Sequence, residues 1–118
     1  MSRPPLHVLP VIFDGPDLAE FLPRAPDFFD RVETLTLTVR YLGFRAGFAY
    51  LDGWPAEWAM PRRPTSRPVK KGSFAIAGAV AGFYPIDTPG GWNLLGRTAE
   101  ELENRFRAGD EIRITRDR

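Results

Sequence analysis

Cysteine is absent from the 118 residues, which excludes disulfides, thiolate metal sites and a thiol nucleophile. A single histidine, His7, excludes a multi-histidine zinc centre and a catalytic pair of imidazoles. No Gly-x-x-x-x-Gly-Lys-Ser/Thr loop occurs, so nucleotide phosphates have no P-loop cradle here. Neither sign of charge dominates. Sixteen basic and fifteen acidic residues leave a net charge of +1, and nothing in that balance asks for nucleic acid or an anionic membrane. The longest uncharged run, 74–86, is shorter than the roughly 20 residues that span a bilayer, and Gly78, Gly82 and Pro85 cut it. Residues 1–5 lack the apolar centre of a signal peptide, so a cytoplasmic location is expected. What is plentiful is glycine (11), proline (12) and aromatic side chains (13%). Any chemistry must then come from arginines, carboxylates, hydroxyls and backbone groups.

Breakers punctuate the chain closely, and no helical periodicity runs past about three turns. The pattern predicts strands over 6–13, 35–42, 73–78, 80–86, 92–97 and 111–115. The strand over 35–42 is the clearest, alternating Leu35, Leu37, Val39 and Tyr41 with Thr34, Thr36, Thr38 and Arg40. Short helices are expected over 17–22, with Pro16 at the start, and over 27–32 after Pro26. One helical turn over 54–60 would set Trp54 and Trp58 on one face. Residues 61–71, with their prolines and basic side chains, read as an extended surface loop. Thr98 followed by Glu101 is a capping-box pattern, predicting a helix to about residue 106. Many short strands with little helix imply a β-sandwich or a small closed barrel, in a single domain spanning 1–118.

Several stretches together carry a family resemblance. In order they are Pro10-Val11-Ile12-Phe13-Asp14-Gly15-Pro16-Asp17-Leu18, Gly43-Phe44-Arg45-Ala46-Gly47-Phe48-Ala49-Tyr50-Leu51, Pro61-Arg62 and Arg67, Gly72-Ser73-Phe74-Ala75-Ile76-Ala77-Gly78, and Gly82-Phe83-Tyr84-Pro85. Thr88-Pro89-Gly90-Gly91-Trp92-Asn93-Leu94-Leu95-Gly96-Arg97-Thr98 and Ala108-Gly109-Asp110 complete the series. From about residue 8 onward the chain resembles the C-terminal domain of the 5-oxoprolinase B-subunit family, also called the allophanate hydrolase subunit 1 or kinase-inhibitor family. It is similar as well to part of the urea carboxylase carboxyltransferase domain.

The resemblance implies a mainly β, cyclophilin-like closed β-barrel with one or two short helices, here without the family's usual N-terminal domain. It implies an enzyme component of hydrolase or carboxyltransferase type that acts on a small carbonyl or amide substrate such as 5-oxoproline. The expected partner is a homologous cyclophilin-like subunit, or a second copy of this chain in a homo-oligomer. No cofactor is expected in this chain, and ATP would be bound by a partner subunit. Two alternatives stand beside this: a repurposed barrel that binds or cyclises a less polar molecule without cofactor, and a regulator that binds another protein. The chain departs from the family pattern at Ala46, where a proline is usual, and at Ala79-Val80-Ala81, where Gly-Gln-Thr is usual. Val32-Glu33 replaces a His-Ser/Thr pair, and Ser66 replaces the proline of a Pro-Arg pair.

The candidate catalytic residues are Arg62, Tyr84 and Arg97. The candidate substrate-binding set is Phe44, Phe48, Tyr50, Arg62, Arg67, Val80, Tyr84, Gly91, Trp92 and Asn93, with no metal ligand. A guanidinium offers a planar fork to a carboxylate, so Arg62 and Arg67 either hold an acidic substrate or belong to a solvated basic loop with Arg63, Lys70 and Lys71. The Gly90-Gly91-Trp92-Asn93 turn either cradles an anion with its N–H groups or is a tight hairpin. Arg97 is either a site residue or the partner of Asp110 or Glu111. The aromatics are core, or in part line an apolar pocket at one mouth of the barrel. Asp52 and Asp87 are either acid/base groups or turn residues, and His7 is expected to be exposed.

Overall fold

The computed structural model describes residues 3–43 and 46–118, so the candidate Phe44 lies outside the described residues. Strand β1 (Leu6–Val11) is followed by two short helices, α1 (Leu18–Phe21) and α2 (Phe28–Arg31), each continued by a 3-10 turn. The rest is β-structure: β2 (Leu37–Gly43), β3 (Phe48–Asp52), β4 (Arg67–Val69), β5 (Ser73–Ala77), β6 (Val80–Phe83), β7 (Thr88–Gly90), β8 (Asn93–Arg97) and β9 (Glu111–Arg116). Seven strands form one sheet in the order β1-β9-β2-β3-β6-β5-β8. The two edges meet at an antiparallel bridge between Ile12 and Arg97, with Ile12 N donating to Arg97 O at 2.8 Å and the reverse bond at 2.9 Å. The result is a nearly closed barrel. A two-stranded ribbon, β4 with β7, lies outside it.

Alternation along the strands sends one set of side chains inward. Leu9, Val11, Leu37, Val39, Leu51, Phe74, Ile76, Ile112 and Ile114 fill the barrel, and Phe21, Phe28, Trp54 and Trp58 close the side covered by the helices. The helical turn expected over 54–60 is a 3-10 turn over Ala56–Trp58 that leaves Trp54 outside it, and the Trp54 and Trp58 rings meet with centroids 5.3 Å apart. The β5–β6 hairpin turns through Gly78 and Ala79, with Ala77 opposite Val80 and Gly78 at φ +60°. A type II′ turn needs a glycine at that first position.

Four expectations are corrected. Residues 98–106 form turns rather than a helix. In a capping box the glutamate must reach back to the N-cap N–H, but Thr98 N already donates to Gly72 O at 2.9 Å. Thr98 Oγ1 accepts only from Glu100 N, at 3.3 Å, and the segment is pinned by buried Leu102 and Phe106 and by Asn104 N on Ala46 O. The 61–71 stretch is not all loop, because Arg67, Pro68 and Val69 pair with Gly90, Pro89 and Thr88. Prolines on both strands hid this ribbon from a propensity argument, and a ribbon with two free edges tolerates them. His7 is half-buried: the parallel β1–β9 pairing brings its Nε2 to 2.9 Å from Asp110 Oδ2, and its ring packs edge-on against Phe106. Arg97 pairs with neither Asp110 nor Glu111; its Nε donates to Asp14 Oδ2 at 2.9 Å across the barrel seam.

Candidate functional site: an aromatic pocket under one free arginine

Strands β3 and β6 run side by side, with Ala49 opposite Phe83. Phe48 and Tyr50 on β3, Tyr84 just after β6 and Trp92 just before β8 converge near the outer ribbon. Phe48 is the hub. Its ring lies 5.1 Å from Tyr50, 5.2 Å from Tyr84 and 5.2 Å from Trp92, the last two edge-to-face. Such contacts favour offset and T-shaped geometry because ring edges are positive and faces negative. The rings wall a cavity of about 310 Å³, completed by Arg62, Ser66, Pro89, Gly90 and Gly91. That is the small end of the ligand-pocket range, room for a single ring with one substituent.

One glycine in this wall has no room for a side chain, and another has only a tight fit for one. A Cβ on Gly90 would overlap the Tyr84 hydroxyl, and one on Gly91 would lie 3.1 Å from Arg62 Nε. Burial raises the Tyr84 phenol above its ordinary pKa, and a hydrogen bond with the Trp92 backbone and the Arg62 charge only partly oppose this. At neutral pH the phenol keeps its proton.

The loop that carries Arg62 is fixed on both sides. Asn93 Nδ2 donates to Pro61 O at 2.9 Å, with Met60 O and Ile76 O also within reach, and Arg63 N donates to Gly91 O at 2.8 Å. Arg63 and Arg67 turn away to Asp17, whose Oδ1 accepts from Arg63 Nη1 at 3.0 Å and whose Oδ2 accepts from Arg67 Nη2. Asp17 Oδ2 also takes Leu94 N at 2.7 Å. Among the described residues Arg62 has no ion pair, and no carboxylate lines the cavity.

The structure therefore brings together Phe48, Tyr50, Arg62, Tyr84, Gly91 and Trp92. The other described candidates stand elsewhere. Arg67 is engaged by Asp17, and Val80 sits at the β5–β6 hairpin. Asn93 is buried and braces the loop, while Arg97 is exposed on the seam. Asp52 is not a turn residue but ends β3 opposite Thr38 and pairs with Arg40 of β2, while Asp87 accepts from Lys71 N in the segment before β7. Sequence reasoning missed Ser66 and Pro89 as lining residues and Asp17 as the clamp. For Asp17 one signal was available: Arg63 and Arg67 need a counter-charge, and Asp17 stands in the matched Gly-Pro-Asp stretch.

Among the described residues no group of three or more His, Asp or Glu side chains could hold a metal ion. What the pocket supplies is donors: a guanidinium, a neutral phenol and a serine hydroxyl, around aromatic faces. It suits a small flat molecule carrying a negative charge.

Comparison with known proteins agrees with this architecture. The family model of the carboxyltransferase domain, subdomains C and D, matches residues 1–110. The chain is 37% identical over 121 aligned residues to the 5-oxoprolinase B-subunit of Haemophilus influenzae, covering 90% of this chain and 57% of that protein. It is 39% identical over 114 residues to the corresponding 5-oxoprolinase chain of Bacillus subtilis, covering 86% of this chain and 48% of that protein. The chain thus spans about half the length of these relatives. A crystal structure of TTHA0988 superposes with a TM-score of 0.85 at 31% identity, covering 97% of this chain and 26% of that one. The Kluyveromyces lactis urea carboxylase shares the fold, with a TM-score of 0.73 at 14% identity, covering 99% of this chain and 14% of its own. The cyclophilin-like barrel is the shared element.

Proposed function

Because this chain belongs to the carboxyltransferase-domain family (subdomains C and D), we propose that it is the substrate-holding barrel of a multi-chain amide-processing enzyme of the 5-oxoprolinase type. The substrate is a small cyclic amide bearing one carboxylate. Its ring lies among Phe48, Tyr50, Tyr84 and Trp92, and its carboxylate meets Arg62. The observation that carries this reading is the Arg62 guanidinium, without an ion pair among the described residues, at the edge of a ring-sized aromatic cavity whose described lining holds no acid. A homologous cyclophilin-like chain completes the machine, and ATP is bound in a partner subunit. A partner is supported by the relatives, each of which is one subunit of a 5-oxoprolinase.

Calorimetric titration of the chain with 5-oxoproline tests the pocket. Binding should weaken at least about tenfold in Arg62→Gln, since a hydrogen bond to a charged group is worth about 1.5–3 kcal/mol. Equal affinity in the two proteins would sink the assignment.

A second reading, a barrel that takes a less polar ligand, is favoured by the four rings in the wall. It requires a neutral ring amide such as pyrrolidone to bind as tightly as 5-oxoproline, with Arg62→Gln without effect.

A further inference from the structure

Three of the described arginines, Arg62, Arg63 and Arg67, lie on the loop and strand next to the pocket, yet only Arg62 among them has no ion pair. Asp17 is the reason. Its carboxylate, 5% exposed, sits just before α1 and receives Arg63 on one oxygen and Arg67 on the other. The third bond, from Leu94 N at 2.7 Å, anchors it to β8, so the carboxylate is part of the barrel wall rather than a mobile counter-ion. Arg67 starts from a position beside the cavity: Ser66 lines the pocket, and Arg67 itself pairs with the pocket residue Gly90. Without a partner at residue 17, its guanidinium would stand at the same mouth as Arg62.

We propose that Asp17 sets the charge selectivity of the pocket. By sequestering Arg63 and Arg67 it leaves Arg62 as the single free guanidinium there among the described residues, so the site takes a monoanion and discriminates against a dianion. The proposal rests on the reading of the cavity as an acid-binding site and adds what that reading leaves open, the charge of the ligand. Asp17 touches no substrate. It is a positioning residue acting through two arginines.

Two probes with the same five-carbon skeleton separate the cases: 5-oxoproline, with one carboxylate, and glutarate, with two. In the native chain 5-oxoproline binds more tightly. In Asp17→Asn, whose side-chain oxygen can still accept from Leu94 N, the preference shifts toward glutarate by about tenfold, the scale of one charge-assisted hydrogen bond. Labelling of arginines with phenylglyoxal, mapped by mass spectrometry, gives a readout that a purely structural clamp does not predict. Of the three, Arg62 reacts fastest in the native chain. In Asp17→Asn the oxygen kept by Leu94 N is the one Arg67 uses. Arg63, now facing an NH2 group, joins Arg62 first, and Arg67, held without charge, follows.

Should Asp17→Asn fail to fold, the contrast of Arg67→Gln with Arg62→Gln decides. The proposal expects 5-oxoproline affinity to survive the first change and fall with the second, and equal losses overturn it. An unchanged preference and unchanged labelling in folded Asp17→Asn overturn the role of Asp17 alone. Failure of the native chain to bind either acid overturns the pocket reading and the selectivity with it.

Discussion

Arg62 and Arg67 are chemically identical and five positions apart, yet the fold gives them opposite assignments. Arg67 faces a buried carboxylate, whereas Arg62 lies over Gly91, where no Cβ blocks the guanidinium. Sequence reasoning names both because both sit in Pro-Arg-like contexts. It cannot separate them, since the separating residue, Asp17, is fifty positions from Arg67. Asn93 shows the same limit. Its sequence context points to substrate binding, yet its amide braces the carbonyls of Met60, Pro61 and Ile76. Asn93→Leu should therefore destabilise the chain by about 1–3 kcal/mol, the cost of stranding buried acceptors. Thermal melting would register this, and an unchanged melting temperature would refute the bracing role. Gly90→Ala makes a complementary test. The new Cβ must displace the Tyr84 ring, so 5-oxoproline binding should be lost in a chain that still melts cooperatively, and unchanged binding would show the cavity lies elsewhere.

Strands and turns divide in the same way. Segments whose partners are close in sequence were legible: the β5–β6 hairpin announces itself through Gly78, and β2 through its alternation. The β4–β7 ribbon and the 98–106 segment were not, because each depends on a group far away. Thr98 N is claimed by Gly72, which no local capping motif can foresee. The barrel seam is another long-range feature. A Cβ on Gly96 would stand 2.5 Å from Ile12 O, so Gly96→Ala must push β1 and β8 apart. A loss of about 1–3 kcal/mol is expected from overpacking, with faster hydrogen exchange at Ile12 and Arg97. Slow exchange at both amides in the variant would show that the seam does not depend on that close approach.

The link between β1 and β9 also carries a pH dependence. Burial alone would raise the Asp110 carboxyl, but the hydrogen bonds from His7 and from Arg107 N, with the charges of His7 and Arg107, bring it below its ordinary value. A carboxyl depressed in the folded state contributes stability that is fully present above its unfolded pKa of about 3.9 and fades as pH falls through the folded value. Melting temperatures of the native chain and Asp110→Asn should therefore differ above the unfolded carboxyl pKa and converge as the pH falls through the folded value. Parallel curves down to strongly acidic pH would refute the contribution. Half-buried Asp27 and exposed Glu57, also lowered, are common to both proteins and cancel in the comparison.

At the scale of the whole molecule, binding and turnover come apart. Opening an amide requires groups that move protons to and from the reacting atoms. The pocket offers donors, the Arg62 guanidinium and the Tyr84 phenol whose proton is held more tightly by burial, and none of its described lining residues is an acid or a histidine. His7, the chain's single imidazole, is committed to Asp110 instead. On the proposed reading the barrel holds and polarises the substrate, and the base is supplied from outside this pocket, by a partner chain. It follows that the protein alone should bind 5-oxoproline but release no glutamate from it, with or without ATP. Co-expression with a homologous cyclophilin-like chain and the ATP-binding subunit should restore ATP-dependent turnover. Arg62→Gln in that assembly should lower kcat/KM by about tenfold or more, following the lost charge-assisted contact. Glutamate release by the isolated chain would place a proton acceptor within the barrel and overturn the division of labour. Full activity of the Arg62→Gln assembly would move the substrate to a different surface of the complex.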